Sequence, residues 1–281
     1  MDPVSIVVTS AAIGGVAGKF VEKAWNLGEK WITEYFKNHG KAAQEKAKEN
    51  ALSFLTKVAE SVKIIQDNTK TDPVTLEVIN TSFKDPDFSA VLQRAIVTSA
   101  RTPSEDKHKI LARLITERLL AKSDDMISLA SSVAVEAIGA LKAKHLYVLG
   151  LSVLVEGIRP TNFPKDLPPE QLNQIARNWW LKNLSPLIQK VEDLTDIDIR
   201  HLVGVNCIEY ESFVGRNLTQ ILKSGFGEWE VDKFLSETEE GKKLKEYYDK
   251  YLQKMILTSA GQLIGIYVKD QVTGIRTIID W

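Results

Sequence analysis

PVSIVVTSAAIGGVAG, residues 3–18, runs straight into KFVEKAWNLGEKWITEYFK, residues 19–37. The first piece carries no charged residue; the second mixes apolar and charged positions at helical steps. Phe20, Val21, Ala24, Leu27, Trp31, Ile32 and Tyr35 recur three and four apart, with Lys19, Glu22, Lys23, Glu29, Lys30, Glu34 and Lys37 between them. That period predicts an amphipathic helix. In the first piece, Gly14-x-x-x-Gly18 and Ala11-x-x-x-Gly15 leave a flat groove if the segment is helical, so that another backbone can approach closely, most usefully in lipid.

The helical period continues outward from this stretch. Lys41 to about Gln66 forms a second helix with Ala51, Leu55, Val58, Val62 and Ile65 as a narrow seam suited to one neighbour, the first helix. Asn38-His39-Gly40 supplies the turn, and the polar run 67–73, DNTKTDP, marks a boundary. Asp85-Pro86 suits a helix start, and Thr102-Pro103-Ser104-Glu105 breaks the run before the next. Asp124-Asp125 opens a further helix, and Leu146 to Val155 is apolar enough to be buried on nearly every side. Pro160, Pro164 and Pro168 make 157–169 an irregular crossing. Gln171 to Leu184 is helical, Pro186 begins or kinks another helix, and Asp196 to Leu222 also reads as helix. Met255 to Leu257 is a short extended piece capped by Thr258 into a last helix, with Thr277 to Trp281 as a closing strand. The prediction is an all-α fold: an N-terminal helical hairpin (1–70), a central helical unit (74–156) and a C-terminal helical region (170–281) with a minor β element of winged-helix type.

Composition bounds the function classes. The 281 residues, 44% hydrophobic and 26% charged, suffice for a substantial core. A formal net charge of −1 removes the global electrostatic argument for binding nucleic acid. The single cysteine, Cys207, forbids an intramolecular disulfide and fits a reducing cytoplasm. The front lacks the basic cluster of a secretory signal. It is also shorter than the ~20 apolar residues that cross a bilayer. A cytoplasmic protein is expected, with one end able to associate with membrane.

Chemistry is sparse. His39, His108, His145 and His201 have no metal-ligand spacing, and a surface position or a hydrogen bond at a helix end explains each. Asp196-Ile197-Asp198, Asp124-Asp125 and Glu239-Glu240 read as carboxylates at helix starts or on exposed helices rather than as metal or acid–base sites. Gly14-Gly15-x-x-Gly18 lacks the Gly-Lys-Ser/Thr end of a phosphate loop. No catalytic residue, metal site or cofactor site is predicted. Of Trp179 and Trp180, one is expected in the core and the other half-buried.

SFKDPDFSAVLQRAIVTSART (82–102) followed by EDKHKILARLITERLLA (105–121) resembles a bacterial group similar to the Abi-alpha proteins, named for abortive infection. The shared pattern falls on Lys107, Leu111, Ala112, Leu114 and Leu119, then Asp124 and Asp125. Asp198-Ile-Arg-His201-Leu202, Cys207-Ile208 and the run Leu257 to Gly265 fit as well. These are packing motifs and bring no active site. The resemblance implies a bacterial cytoplasmic helical protein connected with defence against phage.

The sequence thus points to a non-enzymatic effector acting through self-association and membrane association of its first helix, with Ile6, Val7, Ile13, Gly14, Gly18, Phe20, Trp25 and Trp31 as its contact residues. The expected partners are further copies of the chain, a membrane and a regulatory protein. An oligomeric scaffold or adaptor would show the same small-residue helix. A nucleic-acid-binding regulator would need a basic face around Lys142-Ala-Lys144-His145 or Lys242-Lys243-x-Lys245.

Overall fold

The computed structural model describes residues 13–68, 74–121, 125–160, 163, 167–211 and 215–279. The chain forms two compact units, one through Ala140 and one from Leu141. The sequence break at 67–73 lies inside the first and the crossing at 157–169 inside the second; 69–73 themselves fall outside the described residues, as do Phe213 and Asp124.

In the first unit, α1 (Gly15–Phe36) and α2 (Lys41–Asn68) form the expected hairpin across residues 37–40. A short α3 (Leu76–Ser82) leads to α4 (Pro86–Ala100), α5 (Glu105–Leu120) and α6 (Met126–Ala140). The starts are those the sequence marks: Asp85 accepts the Asp87 amide at 2.9 Å and Ser104 the Lys107 amide at 3.4 Å. The narrow seam expected on α2 is wider in the structure. Ala47, Phe54 and Ala59 are buried beside Ala51, Leu55, Val58 and Val62, because α2 packs on α4 and α5 as well as on α1. Arg118, 2% exposed, reaches from the end of α5 to Asp87 (2.7 Å) and Asp85 (3.3 Å) at the start of α4. A buried guanidinium is tolerable there because carboxylates and the adjacent Ala121 carbonyl receive its protons.

The second unit is built on α7 (Ala143–Glu156), whose residues from Leu146 to Val155 are all buried save Tyr147, which is half-buried. α8 (Pro169–Ile188) packs beside it and does not restart at Pro186; the proline sits in its last turn. The reading of 196–222 as one helical text is corrected. α9 (Asp196–Gly204) stops, Asn206 takes a left-handed φ of 56°, and Ile208–Tyr210 becomes strand β1. Asn tolerates that backbone better than most residues, and it turns the chain out of the helix.

There follow α10 (Leu218–Lys223), α11 (Val231–Glu237), α12 (Glu239–Lys250), one 3₁₀ turn (Leu252–Lys254), β2 (Met255–Leu257) and α13 (Ser259–Thr273). β2 pairs antiparallel with β1, Ile208 opposite Leu257 and Tyr210 opposite Met255. The winged-helix ending is corrected too, since 275–279 form no strand and 280–281 lie outside the described residues. Instead the tail is held by α13: Lys269, 1% exposed, donates to the Ile275 carbonyl (2.9 Å) and Thr277 Oγ1 (3.1 Å), while Asp270 accepts the Thr277 amide (2.9 Å).

α13 lies against α7 and against Cys207, the residue just ahead of β1, and the approach leaves no room for a side chain. A Cβ at Gly261 would sit 1.8 Å from the Cys207 carbonyl oxygen, and one at Gly265 2.5 Å from that of Leu149. Both obstacles are backbone, so neither can turn aside. Gly261→Ala is therefore expected to cost at least about 3 kcal/mol, the upper end of overpacking effects. Gly204→Ala, on an exposed helical position with no neighbour within 4 Å, should stabilise by about 0.5 kcal/mol. Urea denaturation of the two variants checks the opposite signs.

Candidate functional site

The predicted contact residues do not share one environment. Ile6 and Val7 lie outside the described residues. Ile13 is half-buried and Gly14 exposed, whereas Gly18, Phe20 and Trp25 are buried and Trp31 is half-buried. Phe20 stacks on Phe83 with ring centroids 5.5 Å apart, Phe83 meets Phe88 at 5.9 Å, and the Lys23 ammonium lies 5.8 Å from the Phe83 ring. Further along α1, Gly28 admits Ile96 of α4 so closely that a Cβ would meet its side chain at 3.0 Å. The outward stripe is left to Leu27, Trp31 and Tyr35 at four-residue steps, with Tyr35 47% exposed.

The small-residue groove is broken. Gly14 has φ 68° and ψ 173°, a region only glycine occupies readily, and Gly15 has φ 57°. α1 begins at Gly15 with Gly14 as its N-cap, so Gly14 and Gly18 do not line one continuous helix face. A Cβ at Gly15 would meet nothing within 4 Å. Backbone handedness, not space, demands the glycine.

Energetics divide the front of the chain at the same place. Phe20, Val21, Trp25 and Ile32 are at most 2% exposed. At about 1.5–3 kcal/mol for each large apolar side chain, uncovering them costs on the order of 10 kcal/mol. That is comparable to the ~5–15 kcal/mol that holds a whole domain folded. α1 is thus part of the body.

Elsewhere, the side chains closest to a catalytic arrangement are His145 and Asp198. His145 Nε2 is 2.9 Å from Asp198 Oδ1, and its Nδ1 accepts the Lys142 amide at 3.2 Å. Asp198 Oδ2 receives Lys144 Nζ (2.6 Å), the Thr195 amide (2.8 Å) and Thr195 Oγ1 (2.7 Å). Burial works to raise the Asp198 carboxyl, but donors from Lys144, His145 and Thr195 outweigh it and hold the group well below the usual carboxylate range. Burial lowers His145 below its ordinary value, against the opposing pull of Asp198. Both imidazole nitrogens are committed, so the ring has no free lone pair with which to act as a base. The sequence offered Asp198 only as one of many acids at helix starts, and nothing in it couples positions 145 and 198.

A cleft of 570 Å³ is lined by Arg216, Asn217, Thr219, Asp232, Lys245 and Asp249, among others. The volume suits a small ligand; on its wall Thr219 Oγ1 donates to Asp232 Oδ1 at 3.3 Å, and Ser236 Oγ donates to the Asp232 backbone carbonyl at 2.7 Å. The Arg216 guanidinium is taken up by Glu156 (2.6 Å) and the Leu252 carbonyl (2.9 Å). Cys207 is buried, and burial pushes its thiol up to about 12, the reverse of a nucleophile. Among the described residues no three His, Cys, Asp or Glu could hold a metal ion, and no helix is long and apolar enough to cross a membrane. Within the basic clusters, Lys144 is paired with Asp198, His145 is buried, and Lys242 lies 3.5 Å from Glu239, while Lys142, Lys243 and Lys245 are exposed.

Fold and site together define an all-α protein whose polar clusters are spent on joining helices. A family model matches residues 18–246, most of the chain, and the chain belongs to that family. No curated protein and no solved structure matches it.

The glycine break gives a ranked expectation. Gly15→Ala should destabilise by about 1 kcal/mol and Gly15→Val by more, while Gly15→Asn falls within a few tenths of wild type because Asn accepts the left-handed backbone. Denaturant midpoints that coincide for all three variants would show that the turn is not held.

Proposed function

We propose that this chain is a non-enzymatic effector of bacterial defence, of the abortive-infection kind, that acts by self-association and membrane association of the apolar segment ahead of Gly14. The observation that carries this reading is the Gly14–Gly15 break. It separates residues 3–13, uncharged and with Ile6, Val7 and Ile13 among their apolar members, from a helix already anchored in the body. Phe20 and Trp25 then serve as anchor residues, and α1 stays in place while the segment in front of it engages further copies or lipid. The resemblance over residues 82–121 supports the defence setting. In the resting cell the protein is cytoplasmic and meets the membrane on activation, with a regulatory protein as its control.

A scaffold or adaptor is the second reading, and one observation favours it. Met126, Leu129 and Val133 lie on one face of α6 and are 49%, 57% and 36% exposed. Such a face suits a standing protein–protein contact and needs no membrane.

Two variants separate these readings. Removal of residues 1–13 leaves α1 whole and should keep the wild-type circular dichroism and melting temperature; Gly14→Leu strains only the break, and should keep the circular dichroism with a lowered melting temperature. The full chain is expected to release dye from anionic vesicles and to depolarise cells that express it, and both variants are expected to lose at least tenfold of each activity. Equal leakage from the truncated chain would sink the proposal. Loss of self-association in Leu129→Glu, without any leakage by wild type, would establish the scaffold.

A further inference from the structure

The junction of α7 and α9 contains a histidine whose two nitrogens do opposite things. A backbone N–H can only donate, so the 3.2 Å contact from the Lys142 amide requires a lone pair on Nδ1. The proton of the neutral ring therefore sits on Nε2 and is donated to Asp198 Oδ1 at 2.9 Å. One imidazole thereby closes the first turn of α7 and ties it to the first turn of α9. The ring is 2% exposed, and Asp198 is 7% exposed.

A second proton would have to go onto Nδ1. Two N–H groups would then face each other across a distance that now holds a hydrogen bond, and the turn before α7 would lose its cap. The new charge would also be poorly placed. On the α7 side stands Lys144, already bonded to Asp198; on the α9 side His201 lies with its ring centroid 5.3 Å from that of His145. Tyr247 of α12 lies within electrostatic reach of Asp198. Asp198 is the only carboxylate bonded to the ring among the described residues, and three other donor groups share it.

We propose that the His145–Asp198 pair is an acid-opened latch: with the ring neutral it fastens α9 to the start of α7, and protonation of Nδ1 releases α9. The input it takes is a proton rather than a metabolite. The direction follows from linkage. Burial holds His145 below its ordinary value of 6.5, so the released state binds the proton more readily than the closed one. The latch is fully closed above that value and weakens as pH falls below it. For one proton the opening equilibrium rises by up to about tenfold per pH unit. What release uncovers is apolar, since α9 carries Leu202, wholly buried, beside Val203, 43% exposed.

Hydrogen–deuterium exchange on the full chain tests this between pH 7.5 and 5.5, with rates corrected for intrinsic exchange. The amides of His145, Leu146, Asp198 and Ile199, all bonded within these two turns, should lose up to about tenfold of their protection at the acid end. Amides of the first unit should hold theirs. In His145→Gln, which keeps an acceptor and a donor but cannot titrate here, the protection of α9 should be independent of pH. If that variant does not fold, the wild-type ring decides: its NMR titration should show a neutral Nε2–H tautomer at pH 7.5 and protonation only below the ordinary imidazole value, together with the loss of α9 protection. A ring that titrates at or above 6.5 while the α9 amides stay protected would overturn the latch. So would acid-induced exchange of equal size in His145→Gln.

Discussion

Burial of the inner face of α1 is the constraint on which the behaviour of the N-terminal half depends. Phe20, Val21, Ala24 and Ile32 have no exposure at all, and Gly28 lets α4 come close enough for Ile96 to cover the backbone. A helix seated in this way cannot leave without dissolving the core of its unit. The same small-residue character that would serve two helices in lipid serves here to seat one helix under another. The left-handed glycines then fix where α1 begins.

The charged groups that lie deepest show a shared logic. Arg118, Asp198 and Lys269 are each buried, and each is answered by several partners that belong to a helix start, a helix junction or the tail. A buried charge left with spare valence would be costly and chemically useful. These have little to spare, and so they read as fasteners. Their value lies in fixing one arrangement of short helices whose apolar faces alone would permit several, a role for which polar groups in a core are suited. His145 differs only in that its fastening depends on which of its nitrogens holds the proton.

Much of the fold was legible because helical period and caps are local signals. Asp85, Ser104 and Thr258 cap the helices that the sequence places after them, and the apolar run 146–155 is enclosed as its composition demands. Trp180 is in the core and Trp179 half-buried, as their 100° separation on a helix requires. What failed was non-local. The strand at 208–210 exists because β2 lies beside it, and no periodicity within three residues announces that. The tail after α13 looks like a strand in composition, but Lys269 and Asp270 bind its backbone and hydroxyl groups before any strand can. At the front, the glycines were visible and their spacing was read for a groove, whereas their handedness, which only coordinates report, makes them a break.

The close seat of α13 against α7 and Cys207 has a consequence for the order of synthesis. The helices of the first unit are complete by Ala140, and their contacts join elements near in sequence, so that unit can close while the rest of the chain is still being made. The second unit cannot do the same. α7 ends at Glu156, yet the helix that covers it begins at Ser259 and fits only where glycine meets a carbonyl already in place. During translation its apolar wall must therefore wait until residues 259–273 have emerged from the ribosome. Through that interval this half of the molecule is the part that most needs shelter from its neighbours in the cell.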